Sequence, residues 1–74
     1  MTAIETITAL LDKEAEEDIY DRGEQIRNAA LYYIMDHDEN LTTATFTAAC
    51  ALRGISYNTA KVRLNETRRF MKEG

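Results

Sequence analysis

Apolar residues recur along this chain at intervals of three and four positions, the spacing of one face of an α-helix. The first such series is Ile4, Ile7, Leu11, Ala15 and Ile19. It follows Thr2 and Glu5, which match a capping box at the start of a helix. The pattern predicts a first helix from about residue 3 to residue 20.

A second apolar series predicts a helix from Glu24 to His37. Its members on one side are Ile26, Ala29, Ala30, Tyr33 and Ile34. Leu31 and Met35 form a second apolar side, and a helix apolar on two sides is normally central to a bundle. Gly23 weakens a helix interior, so we expect the first two helices to be separated there.

The segment from residue 43 to residue 72 predicts two helices that meet at a turn. Phe46, Ala49 and Cys50 share one face of the first, roughly residues 43–53, which Thr42 or Thr43 caps. Gly54 can adopt the positive φ that ends a helix. Ser56 can cap the second, roughly residues 56–72. The inward stripe of that helix is predicted to be Tyr57, Ala60, Leu64, Thr67 and Met71.

No stretch alternates apolar and polar residues long enough to predict a strand. The 74 residues therefore predict a single all-α domain, residues 1–74, of about four helices without a β-wing. We expect a core in which Phe46, Ile55, Leu64 and Met71 pack against the helix of Ile26 and Tyr33. A chain this small buries only about 60% of its unfolded surface, which favours a bundle, a bound partner or a homodimer.

One face of the fourth helix carries side chains suited to nucleic acid. At about 100° per residue, this face contains Asn58, Lys61, Val62, Asn65, Arg69 and Lys72. Asn and Lys can hydrogen-bond to base edges, Arg and Lys can contact phosphates, and Val can touch a thymine methyl group. The face is thus a candidate site for double-stranded DNA.

The segment GISYNTAKVRL resembles the turn and recognition helix of bacterial helix-turn-helix regulators, which often read GIS-x-NTV-x-x-RL. The matching residues are Gly54, Ile55, Ser56, Asn58, Thr59, Arg63 and Leu64. Ala60 stands where the family usually has a β-branched residue, and Arg53 is one residue more than the common ALG. The resemblance implies a transcription regulator of the phage or plasmid type.

Charge divides the chain into two halves. Residues 1–40 hold eleven acidic and three basic residues, a net charge of −8, whereas residues 41–74 hold two acidic and six basic residues, a net charge of +4. The solvent side of the first helix and its end is predicted to carry Asp12, Glu14, Glu16, Glu17, Asp18 and Asp21. Such a run is either a solvated face or a docking surface for a basic protein.

Few features suggest other chemistry. The sequence has no catalytic triad, CxxC motif or phosphate-binding glycine loop, so we expect no enzyme activity, no cofactor and no small-molecule substrate. Asp36, Asp38 and Asn40 imitate the start of a calcium loop, but Leu41 and Thr47 replace its essential Gly and Glu, so we expect no metal. The single cysteine, Cys50, is expected in the core.

The absence of a signal-like segment or a long apolar run predicts a cytoplasmic protein without a membrane partner. The resemblance to phage and plasmid regulators implies that the cell is a bacterial host. Two functions follow from the residues and the resemblance. One is a regulator that binds DNA through the helix from Ser56. The alternative is an acidic protein that binds host RNA polymerase and inhibits or redirects transcription, with Glu14, Glu16, Glu17, Asp18 and Asp21 as its partner surface.

Overall fold

The structure is a computed structural model that describes residues 2–37 and 40–73. It contains four helices within those residues: α1 (Ala3–Glu17), α2 (Arg22–Asp36), α3 (Thr43–Ala51) and α4 (Tyr57–Glu73). No strand occurs in the same residues, so the predicted all-α class is confirmed. The helix-turn-helix assignment and the absence of a wing stay predictions.

Local capping explains where most of the helices begin. Thr2 and Glu5 form the predicted capping box of α1. Thr42 caps α3 by accepting a hydrogen bond from the Thr45 amide, at 3.2 Å. The Ser56 hydroxyl accepts one from the Thr59 amide, also at 3.2 Å, as predicted for the start of α4. These bonds satisfy amide groups that have no partner within the first turn of a helix.

The first interhelical break lies earlier than Gly23. Asp18 adopts a left-handed conformation with φ of 52°, and its amide donates to the Glu14 carbonyl, which ends α1 at Glu17. Asp21 then caps α2, so that helix already includes Gly23. The predicted extension of α1 to residue 20 is therefore wrong, because Asp tolerates the left-handed region better than most residues do.

Gly54 closes the turn between α3 and α4. Its φ is +74°, and the amides of Gly54 and Ile55 donate to the carbonyls of Ala51 and Cys50 at 3.1 and 3.0 Å. This pair of bonds is the Schellman pattern, which a glycine in the left-handed region favours. Ile55 is buried immediately afterwards, so the turn also contributes to the core.

The four helices enclose one core. α1 packs against α2 and α3, and α4 packs against the same two helices, so α1 and α4 occupy diagonal positions. Buried residues from all four helices and from two connecting segments form the cluster, namely Ile7, Leu11, Ile26, Ala29, Ala30, Tyr33, Ile34, Leu41, Phe46, Ala49, Cys50, Ile55, Ala60 and Leu64. This arrangement places the outer faces of α1 and α4 on different sides of the protein.

Five apolar positions differ from the prediction, the first being Ala15 of α1, which is exposed. Tyr57 and Met71, at the two ends of the stripe on α4, are exposed, whereas its middle is buried. Nine-residue α3 is about half as long as α4 and cannot cover the whole stripe. Met35 is also exposed, because the bundle covers only one of the two apolar sides of α2. Ile19 is exposed because it lies beyond the end of α1.

Candidate functional site

The outer face of α4 is the candidate site. All six residues predicted for it are exposed, namely Asn58, Lys61, Val62, Asn65, Arg69 and Lys72. The buried side of the same helix is formed by Ala60, Leu64 and Thr67. Burial of that side fixes the rotation of α4 about its axis, so the polar face is held toward solvent.

Two polar side chains of α4 attach it to the rest of the bundle. The Thr67 hydroxyl lies 3.2 Å from the Arg27 carbonyl of α2 and 3.0 Å from the Arg63 carbonyl of its own helix. The Arg68 guanidinium donates to the Leu41 carbonyl and to the Thr43 hydroxyl at the start of α3. Arg68 is therefore a structural contact between α3 and α4.

The cations on the outer face have no acidic partner among the described residues. Lys61, Arg69 and Lys72 form no ion pair with any residue in the described part of the chain. Of the two acids in α4, Glu66 is paired with Arg63 at 2.9 Å and with Arg27 of α2 at 3.1 Å. Glu73, next to Lys72, is exposed and forms no ion pair with described residues. Hydrogen bonds from Arg63 and Arg27 lower the pKa of Glu66, and the two guanidinium groups offset its negative charge.

Tyr57 adds an aromatic ring to this face. The ammonium group of Lys61 lies over the ring, 5.9 Å from its centroid, within the range of a cation–π contact. The sequence pattern assigned Tyr57 to the core. The signal that could have placed it outside is the cap at Ser56, which makes Tyr57 the first helical residue, one turn before Lys61.

The surface of α3 next to α4 consists of small side chains. A shallow groove there is lined by Thr43, Ala44, Thr47, Ala48, Ala51 and Tyr57. Short side chains allow another molecule to approach the helix backbone closely. The groove adjoins the amino-terminal end of α4, where Asn58 and Lys61 lie.

The acidic set at the end of α1 is smaller than predicted. Glu14 is only 8% exposed, and its carboxylate accepts a hydrogen bond of 2.9 Å from the side-chain amide of Asn28 in α2. Asp21 caps α2. Glu14 was therefore wrongly placed on the solvent side, because the bundle turns it toward α2. Glu16, Glu17 and Asp18 remain exposed and make no ion pair with described residues.

Asp12 is engaged by Arg53, the additional residue of the turn. The guanidinium binds both carboxylate oxygens, at 2.6 and 2.9 Å, and connects α1 to the turn between α3 and α4. This pairing lowers the pKa of Asp12 from its ordinary value of 3.8. The pair therefore contributes to stability above that pH, and its contribution is lost as the pH falls through the lowered pKa.

Reactive and metal-ligating groups are not assembled in the described residues. Cys50 is buried, and burial raises the pKa of its thiol to about 11, which keeps it protonated at neutral pH. In residues 2–37 and 40–73, no three His, Cys, Asp or Glu side chains lie close enough to hold a metal ion. The calcium-like segment includes Asp38 and Glu39, which lie outside the described residues.

No helix in the described residues has both the length and the apolar character needed to cross a membrane. No protein-family model, curated protein or solved structure matches this chain. Its function is therefore inferred from the residues of the site.

Proposed function

We propose that this protein is a small transcription regulator that binds double-stranded DNA through the outer face of α4. In this proposal α3, the turn and α4 act as a helix-turn-helix unit. α4 enters the major groove, and α3 crosses the phosphate backbone beside it. The B-DNA major groove is about 12 Å wide and admits one α-helix.

The observation that carries the proposal is the chemistry of one helix face. It combines two asparagines, one valine and three cations, and the described acids form no ion pair with those cations. Asn58 and Asn65 suit base edges, while Lys61, Arg69 and Lys72 suit phosphates. Glu66 would repel phosphate, but Arg27 and Arg63 neutralise it.

The net charge of −4 does not prevent this interaction. Salt at physiological strength screens charges over about 8 Å. The described structure measures 28 × 26 × 23 Å, and α1 lies diagonally opposite α4. The exposed acids Glu16 and Glu17 belong to the helix diagonally opposite α4, on another side of the bundle from the proposed DNA-binding face.

Two substitutions distinguish base contacts from phosphate contacts. Asn58→Ala should change the preferred sequence in a selection from a random DNA library. Lys72→Ala should weaken binding to all DNA sequences alike. It should also make the slope of log affinity against log salt concentration shallower by about one unit. Folded protein that binds no DNA at low salt would rule out the proposal.

A second candidate function is the binding of bacterial RNA polymerase through the acidic end of α1. The observation that favours it is the group Glu16, Glu17 and Asp18, which is exposed and lacks cationic partners among the described residues. These acids also lie at the carboxyl end of α1, where the helix dipole disfavours negative charge. A basic surface on the polymerase would supply the missing cationic partners and offset the unfavourable interaction with the helix dipole.

The acidic candidate is tested by the triple variant Glu16→Gln, Glu17→Gln and Asp18→Asn, which preserves side-chain shape and removes three charges. If the polymerase is the target, the variant should lose its effect on transcription by purified RNA polymerase, while DNA binding is unchanged. Regulation that survives this variant but is lost in Lys61→Ala and Arg69→Ala would assign the function to α4.

A further inference from the structure

A groove between α1 and α2 combines exposed aromatic and aliphatic side chains with two acids that form no ion pair with described residues. It has a volume of about 470 Å³ and is lined by Leu10, Lys13, Glu14, Glu17, Ile19, Tyr20, Tyr32 and Asp36. α4 contributes no residue to it. The groove is therefore separate from the proposed DNA-binding face, and its function can be tested independently.

The apolar part of this groove is unusually open to solvent. Ile19, Tyr20 and Tyr32 are 69%, 47% and 44% exposed. Large apolar side chains grouped in this way on a small protein are typical of an interaction site. Tyrosine is also enriched at protein interfaces, because its ring supplies apolar area while its hydroxyl remains hydrated.

The segment that carries Ile19 and Tyr20 is held in place by hydrogen bonds on both sides. The Asp18 amide donates to the Glu14 carbonyl at 3.1 Å, and the buried Gln25 side chain donates to the Tyr20 carbonyl at 2.7 Å. These contacts fix the backbone while leaving both apolar side chains outside the core. A partner would therefore meet a largely pre-ordered surface, which lowers the entropic cost of binding.

The charges around the groove select a cationic partner. Glu17 and Asp36 are exposed acids without ion pairs in the described residues, and Lys13 is the one cation in the lining. Glu17 and Asp36 are the final residues of α1 and α2, and neither helix has a basic residue in its last turn. Both carboxylates thus lie at the negative end of a helix dipole, where a cation is favoured.

We infer that this groove binds a basic amphipathic peptide segment of a partner protein. Apolar side chains of the segment would contact Ile19, Tyr20 and Tyr32, and its lysines or arginines would pair with Glu17 and Asp36. The rings of both tyrosines also offer cation–π surfaces to those basic side chains. Glu14 lies in the wall but already accepts a hydrogen bond from Asn28.

The groove between α2 and α4 serves as an internal comparison. It contains the exposed Phe70 and the half-buried Leu31, but its acids Glu24 and Glu66 are both paired with Arg27. It therefore offers apolar surface without free negative charge. A partner that needs both an apolar surface and acids without ion pairs should prefer the groove between α1 and α2.

The test uses the full chain and a fluorescein-labelled peptide of eight residues in which lysine and leucine alternate. Octalysine and an alternating glutamate–leucine peptide serve as probes that carry only one of the two features. At physiological salt, the lysine–leucine peptide should bind about tenfold more tightly than either control by fluorescence anisotropy. Its affinity should fall as salt rises. Amide shifts in NMR spectra should centre on Lys13, Glu17, Tyr20 and Tyr32.

Variants separate the apolar contribution from the charged one. Tyr32→Ala and Ile19→Ser should each weaken the lysine–leucine peptide about tenfold, whereas Phe70→Ala in the comparison groove should change it by less than about twofold. The double variant Glu17→Gln and Asp36→Asn should also weaken binding of the lysine–leucine peptide about tenfold. Its charge-matched control is Glu24→Gln with Glu73→Gln, which removes two acids that do not line this groove. Circular dichroism verifies that each variant is folded.

Three results would overturn the inference. Octalysine that binds as tightly as the lysine–leucine peptide would indicate a merely acidic surface. A loss of binding in Phe70→Ala but not in Tyr32→Ala would move the site to the groove between α2 and α4. No binding of the lysine–leucine peptide by folded protein would exclude a site for this class of partner. None of these results depends on whether α4 binds DNA.

Discussion

Leu64→Ala is expected to lower the free energy of unfolding by about 2–5 kcal/mol, the range observed when a buried leucine is truncated. Leu64 is fully buried on the inner side of α4, within the cluster shared by all four helices. Domains are stable by only about 5–15 kcal/mol, so the variant should lose a large part of its folded population on mild heating. Thermal denaturation followed by circular dichroism measures the effect.

Val62→Ala is the matched control for this substitution. Val62 lies two residues away on the same helix but is 52% exposed. Its truncation should change stability by no more than about 0.5 kcal/mol, as for most surface substitutions. Similar melting of the two variants would mean that α4 presents a different side to the core.

The double variant Lys61→Gln and Arg69→Gln is expected to weaken DNA binding about 100-fold at 0.1 M salt. Each phosphate contact contributes a slope of about −0.9 to the dependence of log affinity on log salt, which corresponds to nearly tenfold in affinity at that concentration. The slope should therefore become shallower by about two units. Both residues are exposed and form no ion pair with described residues, so the fold should be preserved. Fluorescence anisotropy across a salt series measures both quantities.

Lys13→Gln with Arg22→Gln is a control that removes the same number of positive charges from α1 and α2. If DNA contacts α4, this variant should retain nearly the full salt slope. An equal loss of affinity in both double variants would show that binding depends on net charge alone. The face of α4 would then have no special role.

Local sequence features predicted much of the fold. The caps at Thr2, Thr42 and Ser56 and the turn at Gly54 each depend on residues within five positions of one another. These hydrogen bonds join residues that are close in sequence, so local sequence patterns predict them. The period of the apolar residues likewise predicted that Leu64 lies inside and that the outer face of α4 is exposed.

Longer-range contacts decided the features that the sequence pattern missed. The contact between Glu14 and Asn28 spans 14 positions, and the pair of Asp12 and Arg53 spans 41. The helical period of a sequence does not distinguish a charged residue in solvent from one that a neighbouring helix covers. The identity of its partner depends on which helices pack together and at what rotation.

Local sequence was enough to predict the helical class, most helix starts and the outer face of α4, because these follow from local hydrogen bonding and from the 3.6-residue period. The packing of the helices determines which of the described acids form ion pairs and which arginines are structural. It also brings Ile19, Tyr20 and Tyr32 to the border of one groove. Burial and ion pairing depend on contacts between residues of different helices. Those contacts form only after α1, α2, α3 and α4 have packed.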